Sequence, residues 1–550
     1  MKGWRHYTLV GGFALGCVAV IVRLGYLNWT EREFLQEQGD ARSVRGEVLP
    51  AYRGVVYDRH GEPLAVSTPV FAVWVDPSRA RLTDESLESL AELLALDPAG
   101  LAASVKANEH REFLYVKRRV PWERAQAVRD LGISGVHLQS EYRRYYPASE
   151  TTSHVVGTTG IEESGLEGIE LSFDGRLRGE HGRKVVLKDQ RGETIKDLDY
   201  VAAPKFGSDL NLSLDLRLQF LAYRELKSAV VGHRATSGSL VMLDARSGEI
   251  LALVNQPSYN PNELGSVAVG SMRNRAVTDV YEPGSTVKPF TVLAALESGH
   301  FAADTVIDTQ PGYFRVGSKL VQDPVNRGAI TVGEALQVSS QVGIAKIALE
   351  LEERAVYDVL NRAGVGEPIN TGMPGEAWAS LDDAGLASLV GRAALAYGYG
   401  LAISPLQLAQ AYLTLATGGV RVPVSIVKQE TVRSGTRVFD AEITEDVVRM
   451  MEGVTDDDGT APKARVVGYR VAGKTGTARK VGAAGYDDER HVALFAGIAP
   501  VSDPRLVIVV VVNEPKGDAR GGGSVAAPVF GRVAARSMRL LGVRPDGESA

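Results

Sequence analysis

Two periods of apolar residues run along this chain and divide it into strands and helices. Toward the C-terminal end, "YRVAGKTGTARK", "HVALFAGIAP" and "RLVIVVVVNEP" predict three strands separated by polar loops. The run Leu506–Val512 is seven residues of leucine, isoleucine and valine, too short to cross a membrane, and predicts a buried central strand. Upstream, "SGSLVMLDARSGEILALVNQP" reads as a hairpin of two apolar strands turning at Arg246-Ser247-Gly248. "GSDLNLSLDLRLQFLAYRELKSAVV" predicts a strand and then a long amphipathic helix, and "APVFGRVAARSMRLLG" a second such helix. Strands at both ends of this region with helices between them imply an antiparallel sheet flanked by helices, an α/β (α+β) domain over residues 207–550.

Residues 31–206 read as a separate, mixed module. Residues 31–60 are polar and charged without a sustained apolar stripe. "YRGVVYDRHGEPLAVS" predicts two short strands around the turn Arg59-His60-Gly61, and "FAVWVDP" continues the strand pattern. Helical periodicity recurs over 84–132, in "ESLESLAELLAL" and "WERAQAVRDLG", and a short helix fits near 166–174.

The first 30 residues carry a third pattern. Lys2 and Arg5 precede an uncharged run of sixteen residues, Tyr7–Val22, followed by Arg23 and "LGYLNW". A bilayer core needs ~20 residues. Extending the helix to about Leu27 supplies them if Arg23 snorkels to the headgroups, with Tyr26 and Trp29 at the far interface. No small-x-small cleavage site follows, which favours an uncleaved anchor over a signal peptide. The apolar run continues past Cys17, which disfavours lipidation there. The positive-inside rule puts Lys2 and Arg5 in the cytoplasm and the chain after about Asn28 outside, as in a bacterial inner-membrane protein with a periplasmic body.

Composition narrows the chemistry. The 550 residues are 44% hydrophobic and 23% charged, an ordinary globular balance, and a formal net charge of −6 argues against nucleic acid as a partner. With Cys17 as the only cysteine, no internal disulfide and no cysteine-based zinc site can form. The nine histidines include no pair at metal-ligand spacing, and no Walker loop or dinucleotide fingerprint occurs, so neither metal nor cofactor is expected.

Candidate chemistry begins with two Ser-x-x-Lys pairs, Ser285/Lys288 and Ser425/Lys428. Downstream of Ser285, Val287, Phe290, Leu293 and Leu296 form a helical stripe. Pro289 is tolerated only in a first turn, so the helix starts near Ser285. Ser285 then sits at the positive end of a helix, with Lys288 one turn on and on the same face. A hydroxyl, an adjacent amine and free N–H groups make an activated nucleophile. Around Ser425, the residues Val422, Val424 and Ile426 alternate like a strand, which points Ser425 and Lys428 to opposite faces. The second pair therefore reads as structural.

For Lys288 to act as a base, its pKa must fall from ~10.4 to near 7, a cost of roughly 4–5 kcal/mol, through desolvation and a second cation. "AGKTGTARK" offers that cation in Lys474. Gly476 leaves the strand without a side chain where a substrate backbone can lie, and Thr475 and Thr477 alternate with it as donors to a carboxylate. In "ALQVSSQVGIAKIALEL", Ser339 and Gln341 precede a helical run, and a serine there is most simply an N-cap.

Ser-x-x-Lys, Ser-x-amide and Lys-Thr-Gly-Thr in that order resemble the motif set of penicillin-binding proteins and class A β-lactamases. "RGVVYDRHGEPLA", "YYPASETTSHVVGTTG" and "GLEGIE" resemble the non-catalytic pedestal (the dimerisation-type domain) of class B penicillin-binding proteins. "YGYGLAISPLQLAQAY", "GTAPKARVVGYRVAGKTGTARKV" and "GGGSVAAPVFGRV" are most similar to the division-specific, septal transpeptidases of that class. The resemblance implies a penicillin-binding transpeptidase domain behind a pedestal and a single transmembrane helix. It implies serine-type D-Ala-D-Ala chemistry, with Ser285 as nucleophile, Lys288 as base, Ser339 and Lys474 as proton relay, and Gln341, Thr475, Gly476 and Thr477 binding substrate. Implied partners are stem peptides ending in D-Ala-D-Ala, β-lactams, the cytoplasmic membrane, a SEDS-type (FtsW-like) glycosyltransferase and other divisome membrane proteins. Gln341 departs from the family pattern, which has asparagine there. Alternatives are an elongation-type transpeptidase, a β-lactam sensor and a β-lactamase. A sensor needs a signalling module, for which six cytoplasmic residues leave no room. A class A β-lactamase carries Glu-x-x-Leu-Asn, and the nearest match here, "YDVLN", has Tyr357 in place of the glutamate.

Overall fold

The valine-rich run near the C-terminal end forms the middle of a five-stranded antiparallel sheet in the computed structural model, which describes residues 3–34, 44–188, 194–381, 383–431, 434–482 and 485–547. The sheet comprises β1 (Ser237–Asp244), β2 (Ile250–Gln256), β3 (Ala472–Gly482), β4 (Gly485–Ala499) and β5 (Leu506–Asn513), in the order β2-β1-β5-β4-β3. Every residue of β5 is buried. Leu506, Ile508, Val510 and Val512 pack with α1 (Leu216–Gly232) and α6 (Ala527–Leu540) on one face. Val507, Val509 and Val511 pack on the other, with Leu408 and Tyr412 of α5 (Pro405–Ala416). A strand covered on both faces needs no polar alternation, which is why it reads as a continuous apolar run. The β1–β2 hairpin turns through Gly248, whose φ of +74° suits glycine, and a Cβ there would sit 2.5 Å from the Pro423 carbonyl oxygen.

The remaining helices that frame the site are α2 (Lys288–Glu297), α3 (Val332–Gln337) and α4 (Gln341–Glu350). Two short hairpins, Val306–Asp308 with Ala329–Thr331 and Tyr313–Val316 with Lys319–Gln322, lie between α2 and α3. Their strands of three or four residues carry too little alternation to be legible in sequence.

The chain divides into two compact units. One contains residues 54–66, 144–177 and 208–550, and the other residues 1–53, 67–143 and 178–207. In the second unit Val44–Leu49, Gly182–Lys188 and Thr194–Ala202 form a three-stranded sheet, although residues 44–49 lack an apolar stripe. Helices Asp84–Leu94, Pro98–Ala107 and Trp122–Asp130 occupy the stretch read as helical, with the strand Leu114–Val120 between the last two. Gly3–Trp29 is one 27-residue apolar helix with no buried residue. At ~1.5 Å per residue it spans roughly 40 Å, enough for a bilayer core of ~30 Å. It fits a single-pass membrane segment, and the Arg23 guanidinium lies 5.2 Å from the centre of the Tyr26 ring.

Candidate active site

Ser285 lies in a 3₁₀ turn, Gly284–Val287, and α2 begins at Lys288, with Pro289 in its first turn. The sequence reading starts the helix at Ser285; the tighter turn comes first, and the Lys288 N–H donates to the Ser285 carbonyl. One distant segment pins this turn. Gly284, at φ +52°, donates its N–H to the Gly398 carbonyl at 3.0 Å. A Cβ on Gly398 would lie 2.0 Å from the Gly284 carbonyl oxygen, so only glycine permits the approach. The buried Tyr412 hydroxyl donates to the Thr286 carbonyl at 2.7 Å, and Thr291 Oγ1 donates to the Ala396 carbonyl at 2.8 Å. In sequence Tyr412 looks like any aromatic in an apolar helix, and nothing marks its hydroxyl for this task.

Lys288 is fully buried, and its Nζ donates to Ser339 O at 2.6 Å and to Ser339 Oγ at 3.1 Å. Burial pushes its amine down to about 7, against the pull of the Asp323 carboxylate, which favours the charged form. Lys474, on β3, is also fully buried and lies 3.4 Å from both Thr475 O and Thr475 Oγ1. Its pKa falls well below the usual lysine value, first through burial and then through the charge of Lys288. Burial holds both amines below the usual lysine value, and the charge of Lys288 lowers Lys474 further.

Ser339 is not a helix cap. The N-cap of α4 is Ser340, whose Oγ accepts from the Gly343 N–H at 2.8 Å, while Ser339 adopts φ +60°. Gln341 is the first residue of α4, half-buried, and its N–H donates to Asp323 Oδ1 at 2.5 Å. Its side-chain amide makes no hydrogen bond among the described residues. Sequence reasoning passed over Asp323, which lies in "VQDPVN" and looks like a turn residue.

β3 is an edge strand of the sheet, with β4 on one side. A Cβ on Gly476 would stand 2.8 Å from Pro283 O and 2.9 Å from Thr286 Cγ2. The missing side chain therefore makes room for the turn that carries Ser285. Thr475 is buried, with its hydroxyl 2.8 Å from that of Thr460. Thr477 is exposed and accepts from the Gly522 N–H at 3.1 Å. The second pair behaves differently: Ser425 Oγ donates to Val427 O at 2.7 Å, and Lys428 Nζ reaches Arg59 O at 2.9 Å. Tyr357 lies in the helix Ala355–Arg362, with the Arg354 guanidinium 4.4 Å from its ring centre. No cluster of His, Cys, Asp or Glu able to hold a metal occurs among the described residues.

Residues 238–535 match the family described as "Penicillin binding protein transpeptidase domain", and residues 48–212 match "Penicillin-binding Protein dimerisation domain". Over 548 residues the chain is 40% identical to the peptidoglycan D,D-transpeptidase FtsI of Escherichia coli K12, covering 99% of this chain and 93% of that one. It is 39% identical over 545 residues to the probable peptidoglycan D,D-transpeptidase PbpC of Pseudomonas aeruginosa, covering 99% and 96%. Among solved structures, penicillin-binding protein 3 of Mycobacterium tuberculosis complexed with aztreonam superposes with a TM-score of 0.70 at 26% identity, covering 91% of this chain and 98% of that one. The apo transpeptidase domain of Burkholderia pseudomallei penicillin-binding protein 3 gives 0.57 at 37% identity, over 61% and 98%.

Proposed function

This chain belongs to the class B penicillin-binding proteins, and from that membership we propose that it cross-links peptidoglycan stem peptides at the division septum through an acyl-enzyme on Ser285. It is a peptidoglycan D,D-transpeptidase; residues 238–535 match the transpeptidase domain, and on our reading the catalytic domain extends over 207–550. The observation that carries the residue assignment is the buried Lys288, with an amine near neutral, one residue past the turn that holds Ser285.

Ser285 Oγ attacks the carbonyl of the penultimate D-Ala while Lys288 takes its proton. The C–N bond breaks, and Ser339 with Lys474 passes a proton to the departing amine of the terminal D-Ala. The backbone N–H groups of Ser285 and Thr477 hold the oxyanion, an effect of ~3–4 kcal/mol per donor at comparable sites. Thr475 and Thr477 receive the terminal carboxylate, with Gly476 between them. An amine of a neighbouring stem peptide then attacks the ester carbonyl, forming the cross-link and returning the proton to Ser285. β-Lactams acylate the same serine, a reading supported by the aztreonam complex of the Mycobacterium tuberculosis protein. With Tyr357 in a surface helix and no glutamate at that place, nothing supports rapid deacylation. A SEDS-type glycosyltransferase and other divisome membrane proteins are the partners this role calls for, with the N-terminal helix in the cytoplasmic membrane.

Two measurements test this reading. Incubated with a stem pentapeptide, the full-length protein should release D-Ala, and a fluorescent fusion should gather at mid-cell in dividing cells. Absence of D-Ala release overturns the chemistry, and a lateral-wall distribution overturns the septal role.

Gln341 gives a further expectation. Its amide has the donors and acceptor of asparagine on a stem longer by one methylene, and it carries no internal hydrogen bond to hold it back from ligand. A displacement of about 1 Å at a reacting site can change a rate by up to ~100-fold. Gln341→Asn should therefore change second-order acylation rates unequally across penicillins, cephalosporins and monobactams. A uniform factor, or no change, would mean that Gln341 does not touch the acyl side chain.

A further inference from the structure

Asp323 lies outside every motif above, directly after the hairpin Tyr313–Val316/Lys319–Gln322, and is only 6% exposed. Its Oδ2 accepts from Ser340 Oγ at 2.5 Å, and its Oδ1 accepts from the N–H groups of Gln341 at 2.5 Å and Val342 at 3.2 Å. With Ser340 Oγ accepting from Gly343, the first three N–H groups of α4 are all satisfied, two of them by a carboxylate from another element. Immediately ahead stands Ser339 at φ +60°, a conformation that serine keeps only where its surroundings impose it. The end of α3 holds one side of this loop, through Ser339 N–H to Leu336 O at 3.3 Å and Ser340 N–H to Ala335 O at 2.9 Å. Asp323 holds the other side. What the loop presents to the site is Ser339 O and Oγ, which accept both hydrogen bonds of Lys288.

We infer that Asp323 is a positioning residue for acylation: it clamps the Ser339 loop against Lys288, with its carboxylate charge beside the base. The inference rests on reading Ser285 and Lys288 as nucleophile and base. Two charged groups face the Lys288 amine, Asp323 from the hairpin side and Lys474 from β3. Asp323 favours the protonated amine, whereas burial opposes it. Removing the carboxylate charge therefore shifts the free-base form of Lys288 to lower pH.

Two variants of the full-length protein separate clamp from charge. Asp323→Asn keeps the shape, because its amide oxygen can accept from both backbone N–H groups and its NH₂ can donate to Ser340 Oγ. Asp323→Ala removes shape and charge together. The second-order rate of acylation by a fluorescent penicillin is followed across neutral pH and normalised to folded protein. Asp323→Ala should fall by about 30- to 100-fold on the plateau above the limb, with its limb moved to lower pH as well. Asp323→Asn should fall less, and its rising limb should move to lower pH by about half a unit to one unit. If Asp323→Ala does not fold, the limb of Asp323→Asn alone decides the question. A merely structural Asp323 would lower the thermal midpoint of both variants while leaving the rate per folded molecule and the limb unchanged, and that result overturns the inference. Failure of the unmodified protein to acylate would instead overturn the assignment of Ser285 and Lys288 beneath it.

Discussion

Replacing Ser285 by alanine should abolish the acyl adduct that penicillin leaves on this protein, a loss of at least about 10⁴-fold in acylation rate. Intact-mass measurement should find one added acyl group on the unmodified protein and on Ser425→Ala, and none on Ser285→Ala. The contrast follows from where each hydroxyl is committed. Ser425 Oγ donates to the carbonyl two residues on, and the lysine paired with it in sequence is turned away to the Arg59 carbonyl. Ser285 sits instead in a turn that two hydrogen bonds with the 398–412 segment hold in place, next to Lys288, whose amine burial brings down to about 7. An adduct that persisted on Ser285→Ala would remove Ser285 as the nucleophile.

Lys288→Met should lose acylation by about 10²- to 10⁴-fold, the range for removing a positioned base, and yet make the protein more stable at pH 7. The folded-state pKa of Lys288, about 7, lies below the ~10.4 of the unfolded chain. Between those values the unfolded state binds the extra proton, so folding pays roughly 4–5 kcal/mol near pH 7, and stability rises with pH through that window. Methionine removes this cost but leaves Ser339 O and Oγ without their donor, a loss of about 1–3 kcal/mol. The net gain should be on the order of 2 kcal/mol at neutral pH. It should shrink as the pH rises toward ~10.4 and reverse above it, where the amine is neutral in both the folded and the unfolded states. Thermal midpoints of the two proteins at a neutral and an alkaline pH check this. A destabilised Lys288→Met at pH 7 would mean that Lys288 is folded as a stably charged group, which would exclude it as the base.

Local patterning carried much of this molecule. The continuous apolar run of β5, the turn at Gly248 and the helix Gly3–Trp29 all depend on residues close together in the chain. The start of the helix after Ser285 is local too, since Pro289 limits where it can begin, whereas the strand that Val422, Val424 and Ile426 predict is reduced to isolated bridges at Ser425 and Val427. The order of the motifs added the family by resemblance, and with it the reaction.

What periodicity cannot encode is which partner a buried face meets. Tyr412 meets the turn that carries Ser285 across 126 residues of chain, and Gly398 admits that turn only because it has no Cβ, which would lie 2.0 Å from the Gly284 carbonyl oxygen, a contact that no window of sequence contains. Ser340 rather than Ser339 caps α4 because Asp323, from another hairpin, accepts its hydroxyl and the next two N–H groups and leaves Ser339 in a left-handed conformation facing Lys288. The interleaving of residues 54–66 and 144–177 with the catalytic unit is of the same kind. Sequence alone settles the elements whose hydrogen bonds and apolar stripes close locally. The surroundings of Ser285 and Lys288 are built from contacts between elements far apart in the chain, and only the packed chain determines them.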